Sequence, residues 1–182
     1  LMDRLLVPHR VPKYEPTNIH EVLERVRSLL LAESPNNIKV RRDYDTSLPD
    51  LIGDREKLIQ TVLNIARNAV QAMQSNGTEN AEVVLRTRAE RQVTLAKKRY
   101  RVAIKLQISD NGPGIPADIR DKIFYPLVSG REGGSGLGLA LAQTFITQHH
   151  GMIDCDSQPG NTTFTILLPV ESTVIKHAII QQ

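Results

Sequence analysis

Two glycine-bearing stretches carry the residues best suited to chemistry. In Asp110-Asn111-Gly112-Pro113-Gly114-Ile115 a carboxylate closes a hydrophobic run and two glycines follow it. A carboxylate only accepts hydrogen bonds. It therefore matches the exocyclic amine of adenine. Guanine presents a carbonyl oxygen at that place, and two facing acceptors left unpaired cost about 1–3 kcal/mol. Gly112 and Gly114 lack the Cβ that would hold a flat base away from the backbone. The same residues also suit a plain turn, since Asp, Asn, Gly and Pro all form turns. Further on, Gly134-Ser135-Gly136-Leu137-Gly138-Leu139 opens a helical pattern. A helix start offers free N–H groups and a partial positive charge to a phosphate. A flexible linker is the alternative, but Leu137 and Leu139 between the glycines favour a docked turn. Arg131, just upstream, serves either as a counter-charge for phosphate or as a solvated loop residue. Neither the dinucleotide fingerprint nor the GxxxxGK[ST] loop occurs in the chain.

A third set lies upstream. Gln60, Asn64 and Asn68 recur every four residues and share one helix face. Around them stand Leu58, Ile59, Val62, Leu63, Ile65, Ala66, Ala69 and Val70. An ordinary solvent face would carry Lys and Glu, and each Asn costs a helix roughly half a kcal/mol. The stripe reads as a cavity wall whose amide oxygens face a hard cation such as Mg²⁺, which takes oxygen ligands and shares phosphate oxygens with its substrate. A buried hydrogen-bond network between helix and loop is the other reading.

These groups need elements to hold them. Thr17 is placed to cap a helix carrying Ile19, Val22, Leu23, Val26, Leu29 and Leu30, ended by Pro35-Asn36-Asn37. Residues 38–44 and the pair Leu51-Ile52 suggest strands. Asp54 caps a long helix to about Met73, with Gly77 as its stop. Residues 82–88 and 100–109 suggest antiparallel partners around a charged connection, and Val102, Ile104, Leu106 and Ile108 alternate on one face. Residues 116–124 suit a short helix with proline in its first turn. A loop follows over 125–136, then a helix over 137–149 with Leu137, Leu141 and Phe145 in line. His149 and His150 close it as a surface C-cap feature. Residues 152–156 and 162–168 complete the strands, Pro169 stopping the last. Mixed strands and helices with adjacent antiparallel strands predict an α+β fold with helices on one face.

The 182 residues suffice for one cored domain, expected over 17–170 between a linker (1–16) and a disordered tail (171–182). A net charge of +3 is too mild for a nucleic-acid surface. The basic run Lys97-Lys98-Arg99 with Arg101 suits a solvated hairpin tip. The lone Cys155 excludes an internal disulfide and suggests a buried, inert thiol. No apolar run approaches eighteen residues, which points to the cytosol with no membrane contact by this domain.

In order and spacing, these pieces resemble the ATP-binding catalytic domain of bacterial sensor histidine kinases, in the superfamily shared with gyrase, Hsp90 and MutL. The helix from Asp54 to Ala69 is similar to the N box and Asp110 to Ile115 to the G1 box. Ile123-Phe124-Tyr125-Pro126-Leu127 resembles the F box and Gly134 to Leu139 the G2 box. Gly160 with Thr162-Thr163-Phe164 resembles the closing strand. The stretch from Phe124 to Gly134 is most similar to the nitrogen-regulation kinases. The resemblance implies a two-layer α/β sandwich binding ATP and Mg²⁺. Asn68 would be the metal ligand, with Asn64 beside the phosphates and Asp110 on the adenine amine. Gly112, Gly114 and Ile115 would line the base. Gly134, Gly136, Leu137 and Gly138 would carry the triphosphate, Arg131 would assist it, and Thr163 would complete the pocket.

The partners so implied are a dimerisation domain bearing the phosphoacceptor histidine, a response regulator and a PII-type nitrogen signal protein. The isolated domain would be a monomer. Three departures stand out. Gln71 replaces a lysine common after the N box, and Leu127 replaces the usual Phe. The phosphoacceptor motif is missing, because His20-Glu21 continues Val22-Leu23-Glu24-Arg25. Two other readings use the same residues, a gyrase- or Hsp90-like ATPase and a non-catalytic nucleotide-sensing module. Asn64 argues against the first, because those ATPases carry a glutamate there to activate water.

Overall fold

The computed structural model describes residues 11–34, 37–126 and 138–170. Three helices, α1 (Ile19–Glu33), α2 (Arg55–Asn76) and α3 (Gly138–Gln148), pack on one face of a five-stranded sheet. Its strands are β2 (Lys39–Asp43), β4 (Glu82–Leu95), β5 (Lys98–Asp110), β6 (Met152–Gln158) and β7 (Asn161–Pro169), in the order β2-β4-β5-β7-β6. Only β2 and β4 run parallel. β1 (Glu15–Thr17) and β3 (Leu51–Gly53) form a separate antiparallel pair. This is the α+β sandwich expected from the order of the patterns.

α2 forms where its punctuation places it. The Asp54 carboxylate accepts the Lys57 N–H at 3.3 Å, satisfying one of the orphan donors of the first turn. At the other end Gly77 takes φ +65° and Thr78 donates its N–H to Met73 O, the left-handed closure that glycine favours. Between the caps Leu58, Val62, Ile65, Ala66, Ala69 and Met73 are buried. They meet Val83, Leu85, Ile104, Leu106, Ile108, Phe164, Ile166 and Leu168 of the sheet in one aliphatic core.

Several expectations are corrected. Thr17 is the last residue of β1, its hydroxyl donating to the Glu15 and Gly53 carbonyls, and Asn18 caps α1 through the His20 N–H. Glu15–Thr17 and the bond from Lys13 N–H to Asp54 Oδ2 tie residues 13–17 to the domain. The strands expected over 82–88 and 100–109 continue through the charged stretch to the pair Leu95 and Lys98. Ala96 and Lys97 both have positive φ, the two-residue hairpin turn whose twist matches the flanking strands. The exposed tip is thus shorter than the basic run suggests, and Tyr100 is buried with Leu95 and Ala103 in a small second cluster. Residues 116–124 hold a 3₁₀ turn, Arg120–Lys122, in place of an α-helix. On α3 the buried stripe is Ala142 and Ile146, while Leu141 is 41% exposed. Cys155 is half-buried, and burial pushes its thiol up to about 12, the inert state its strand position suggests. No described helix is long and apolar enough to cross a membrane.

Candidate nucleotide site

Asp110 ends β5 on the face that meets the helices and is 8% exposed. Burial pushes its carboxyl above the usual carboxylate range, against the opposing effect of the Gly112 N–H that Oδ1 accepts at 2.9 Å. One oxygen is thus committed to the backbone, and the carboxylate keeps acceptor capacity for a donor on the helix side.

The following loop is pinned on both flanks. Asn111 accepts the Glu82 N–H at 2.8 Å and donates to Asn80 O at 2.9 Å. Gly160 donates its N–H to Gly112 O at 2.9 Å. Ile115 donates its N–H to Ser157 Oγ at 2.8 Å, and Ser157 Oγ shares a proton with Thr162 Oγ1 at 2.8 Å. The glycines serve the protein's own packing. A Cβ on Gly112 would stand 2.9 Å from Met73 Cγ and from Asp110 Oδ1. Gly114 has φ +85°, and a Cβ there would meet the Gln158 carbonyl at 2.9 Å. Their freedom lets the loop dock against α2 and β6.

Thr163 lies on the far side of the sheet. It pairs with Ser109, and the two hydroxyls are 2.8 Å apart. Strand alternation puts its neighbour Thr162 on the core face, 4% exposed and in register with Asp110. Thr162 and Ser157 are the residues that sequence reasoning missed. Counting back by twos from the core residues Ile166 and Phe164 would have found Thr162.

Asn64 and Asn68 lie half-buried on α2, while Gln60 and Gln71 are exposed. Gly138 begins α3 beside the first amide, where an added Cβ would be 3.9 Å from Asn64 Cβ. α2 therefore touches both halves of the site, Met73 beneath the Asp110 loop and Asn64 beside the start of α3. Nine residues of helix separate these points by about 13 Å. The F-box aromatic Phe124 meets Phe164 edge-on at 6.3 Å. Arg131, Gly134, Gly136 and Leu137, expected at the phosphates, lie outside the described residues.

His20 and His149 are both engaged within the domain. His20 Nε2 lies 2.8 Å from Thr87 Oγ1, with the ring tilted against Tyr44. His149 is no surface cap. It is 3% exposed, its Nε2 accepts the Asp54 N–H at 2.9 Å, and Nδ1 donates to Phe145 O at 2.7 Å.

Residues 53–172 match the family described as histidine kinase-, DNA gyrase B- and HSP90-like ATPase. The chain belongs to that family. The chain is 47% identical over 170 residues to the sensory histidine kinase/phosphatase NtrB of Vibrio alginolyticus, and 49% identical to that of Klebsiella oxytoca. Each match covers 93% of this chain and 48% of the relative, so the chain spans about half the length of these relatives. Among solved structures, the mycobacterial sensor histidine kinase MprB superposes with a TM-score of 0.69 at 27% identity, over 86% of this chain and 97% of that one. Full-length ShkA in complex with AMPPNP gives 0.71 at 25% identity, over 92% of this chain and 33% of that one.

Proposed function

We propose that the chain binds Mg-ATP and passes its γ-phosphoryl group to a histidine on a separate dimerisation domain, in two-component nitrogen regulation. The observation that carries this reading is the buried Asp110 carboxylate, held at the sheet end beside a loop that packs on Met73 of α2, the helix that also carries the half-buried Asn64 and Asn68. Asp110 would accept the adenine amine and Thr162 would stand beside it. Gly112 and Ile115 would line the base, and Gly114 would keep their loop docked. Asn64, Gly138 and the residues just before α3 would face the phosphates. The donor set fits a metal that arrives with its phosphates. Among the described residues no cluster of three His, Cys, Asp or Glu could hold a metal by itself, and Asn68 would add one amide oxygen to a shell completed by phosphate and water. Mg²⁺, when bound, would neutralise charge that builds on the transferred phosphoryl group.

In the transfer, the bond from the γ-phosphorus to its bridging oxygen breaks and a phosphorus–nitrogen bond to imidazole forms, with ADP leaving. A neutral imidazole is already nucleophilic, so the chain has only to position and to neutralise charge. Asn64 cannot take a proton from water at neutral pH, which makes hydrolysis slow. His20 and His149 spend ring nitrogens on bonds within the domain, and in this reading the acceptor lies on the partner domain. A response regulator and a PII-type signal protein are the further partners of this reading.

The test is Asn68→Ala. Calorimetry should show loss of Mg-ATP binding with the circular dichroism spectrum unchanged. The wild-type chain with labelled ATP and a separately made dimerisation domain should give a labelled histidine. Fast phosphate release by the chain alone, or unchanged Mg-ATP affinity in the variant, would refute the assignment.

A further inference from the structure

α3 is anchored at its C-terminal end by His149, which stands where three parts of the chain meet. Its Nε2 accepts the backbone N–H of Asp54, the cap of α2, across ninety-five residues of sequence. Its Nδ1–H returns to Phe145 O within its own helix. Its ring lies edge-on to Tyr14 of the leading segment, with centroids 5.3 Å apart. Asp54 collects the rest of the junction. Oδ2 accepts the Lys13 N–H at 3.2 Å and Oδ1 the Lys57 N–H at 3.3 Å. One turn along, Lys57 Nζ sits 4.4 Å above the Phe145 ring. The far end of α3, about 16 Å away along its axis, begins at Gly138 against Asn64.

We propose that His149 is a positioning residue that links the segment 11–17 to the α2–α3 wall at the triphosphate end of the nucleotide site. The inference rests on the reading of that site as a nucleotide site. Imidazole suits the junction because it accepts on one nitrogen while donating on the other. α3 and the start of α2 are thereby fixed at the end remote from the phosphates, so the start of α3 holds its place beside Asn64. The leading segment bears on the same point through Tyr14 and Lys13, and a displacement of it reaches Asn64 along a rigid helix. The base end is built separately, from β5, the 111–115 loop and the β6–β7 turn.

The charged and titratable groups facing the ring are Asp54 and Lys57 of α2, His150 next in sequence and Tyr14 of the leading segment. None is placed at the nucleotide site, so loosening the junction is read out as a split between two ligands. In the 182-residue chain, calorimetry at a temperature where each variant is folded should show His149→Ala weakening Mg-ATP binding about tenfold, the worth of one buried hydrogen bond. Adenosine, which has no phosphates, should bind as in the wild type. Tyr14→Ala should act in the same direction, about threefold, as a lost ring contact would. Should His149→Ala not fold, His149→Gln, whose Oε1 can accept the Asp54 N–H but which lacks the ring, carries the same comparison with a smaller loss. Equal Mg-ATP affinity in the His149 variant, equal affinity in Tyr14→Ala, or a parallel loss of adenosine and Mg-ATP would each overturn the proposal. Failure of the wild-type chain to bind Mg-ATP would overturn the nucleotide reading itself, a separate and distinguishable result.

Discussion

Asp110→Asn separates the role of the carboxylate in binding from its effect on folding, because the two change in opposite directions. In the wild type, Oδ1 accepts the Gly112 N–H and the group is 8% exposed. Asparagine keeps that bond through its own Oδ1 and turns an NH₂ group to the place where the adenine amine would donate. A charge-assisted bond is lost and two donors face each other. The cost is about 2–3 kcal/mol, or roughly 30- to 150-fold in Kd for ATP. GTP, with a carbonyl there, should gain relative to ATP. Folding moves the other way. Burial raises the Asp110 carboxyl above its ordinary 3.8, so the native state binds that proton more tightly than the unfolded chain. The stability this gives is present below 3.8 and lost as pH rises through the raised value, which leaves the ionised group a liability at neutral pH. The asparagine chain should therefore be at least as stable as the wild type at pH 7.5 by urea denaturation, with its advantage narrowing toward pH 4. Calorimetry with ATP and GTP supplies the other half. Unchanged ATP affinity, or an asparagine chain clearly less stable at neutral pH, would refute the reasoning.

Two glycines distinguish backbone strain from crowding: Gly114→Ala meets both φ +85° and the Gln158 carbonyl at 2.9 Å, whereas Gly160→Ala meets φ +89° and open space. Gly114→Ala should lower the Tm by about 2–10 °C and Gly160→Ala by less, and an equal loss would show that the close approach does not matter. Burial lowers His149 from its ordinary 6.5, so the native state resists its protonation; stability is full above 6.5 and falls as pH drops from 6.5 toward the lowered value. Urea midpoints at pH 7.5 and 5.5 should therefore differ more in the wild type than in His149→Gln, and equal differences would contradict the neutral, two-bond imidazole. Asn68→Ala, set out above for Mg-ATP binding, should lower the stability read from urea denaturation by no more than about 1 kcal/mol, because alanine's better helix propensity offsets part of the interaction the asparagine makes.

What the sequence made legible was local. Asp54 and Gly77 bracket α2 through bonds to residues three to five positions away. The alternation from Val102 to Ile108 places the core face of β5 without knowledge of its neighbours. What it hid depends on distant partners. Glu15–Thr17 is too short to show a period and is a strand only because Leu51–Gly53 lies beside it. The charged residues beyond 88 read as a loop because pattern reading weighs burial, while the ladder there is held by backbone bonds closed by a two-residue turn. His149 resembled a helix cap because its position says so; its burial follows from an Asp54 N–H that only the fold delivers.

The same distinction explains why α2 tolerates amides where a helix would favour lysine or glutamate. One flank of the helix packs on the sheet, and Asn64 lies beside the start of α3, so a charge at position 64 would be held beside a helix start. In the proposed reading, a glutamate there would repel the phosphates. A neutral amide offers an oxygen to a cation and an N–H to a phosphate without taking a side. The helix gives up roughly half a kcal/mol per asparagine, a loss offset many times over by the apolar flank it buries against Val83, Leu85 and Ile104. The proposed site thus rests on a well-packed element, and its two ends are joined because Met73 and Asn64 are fixed on one helix.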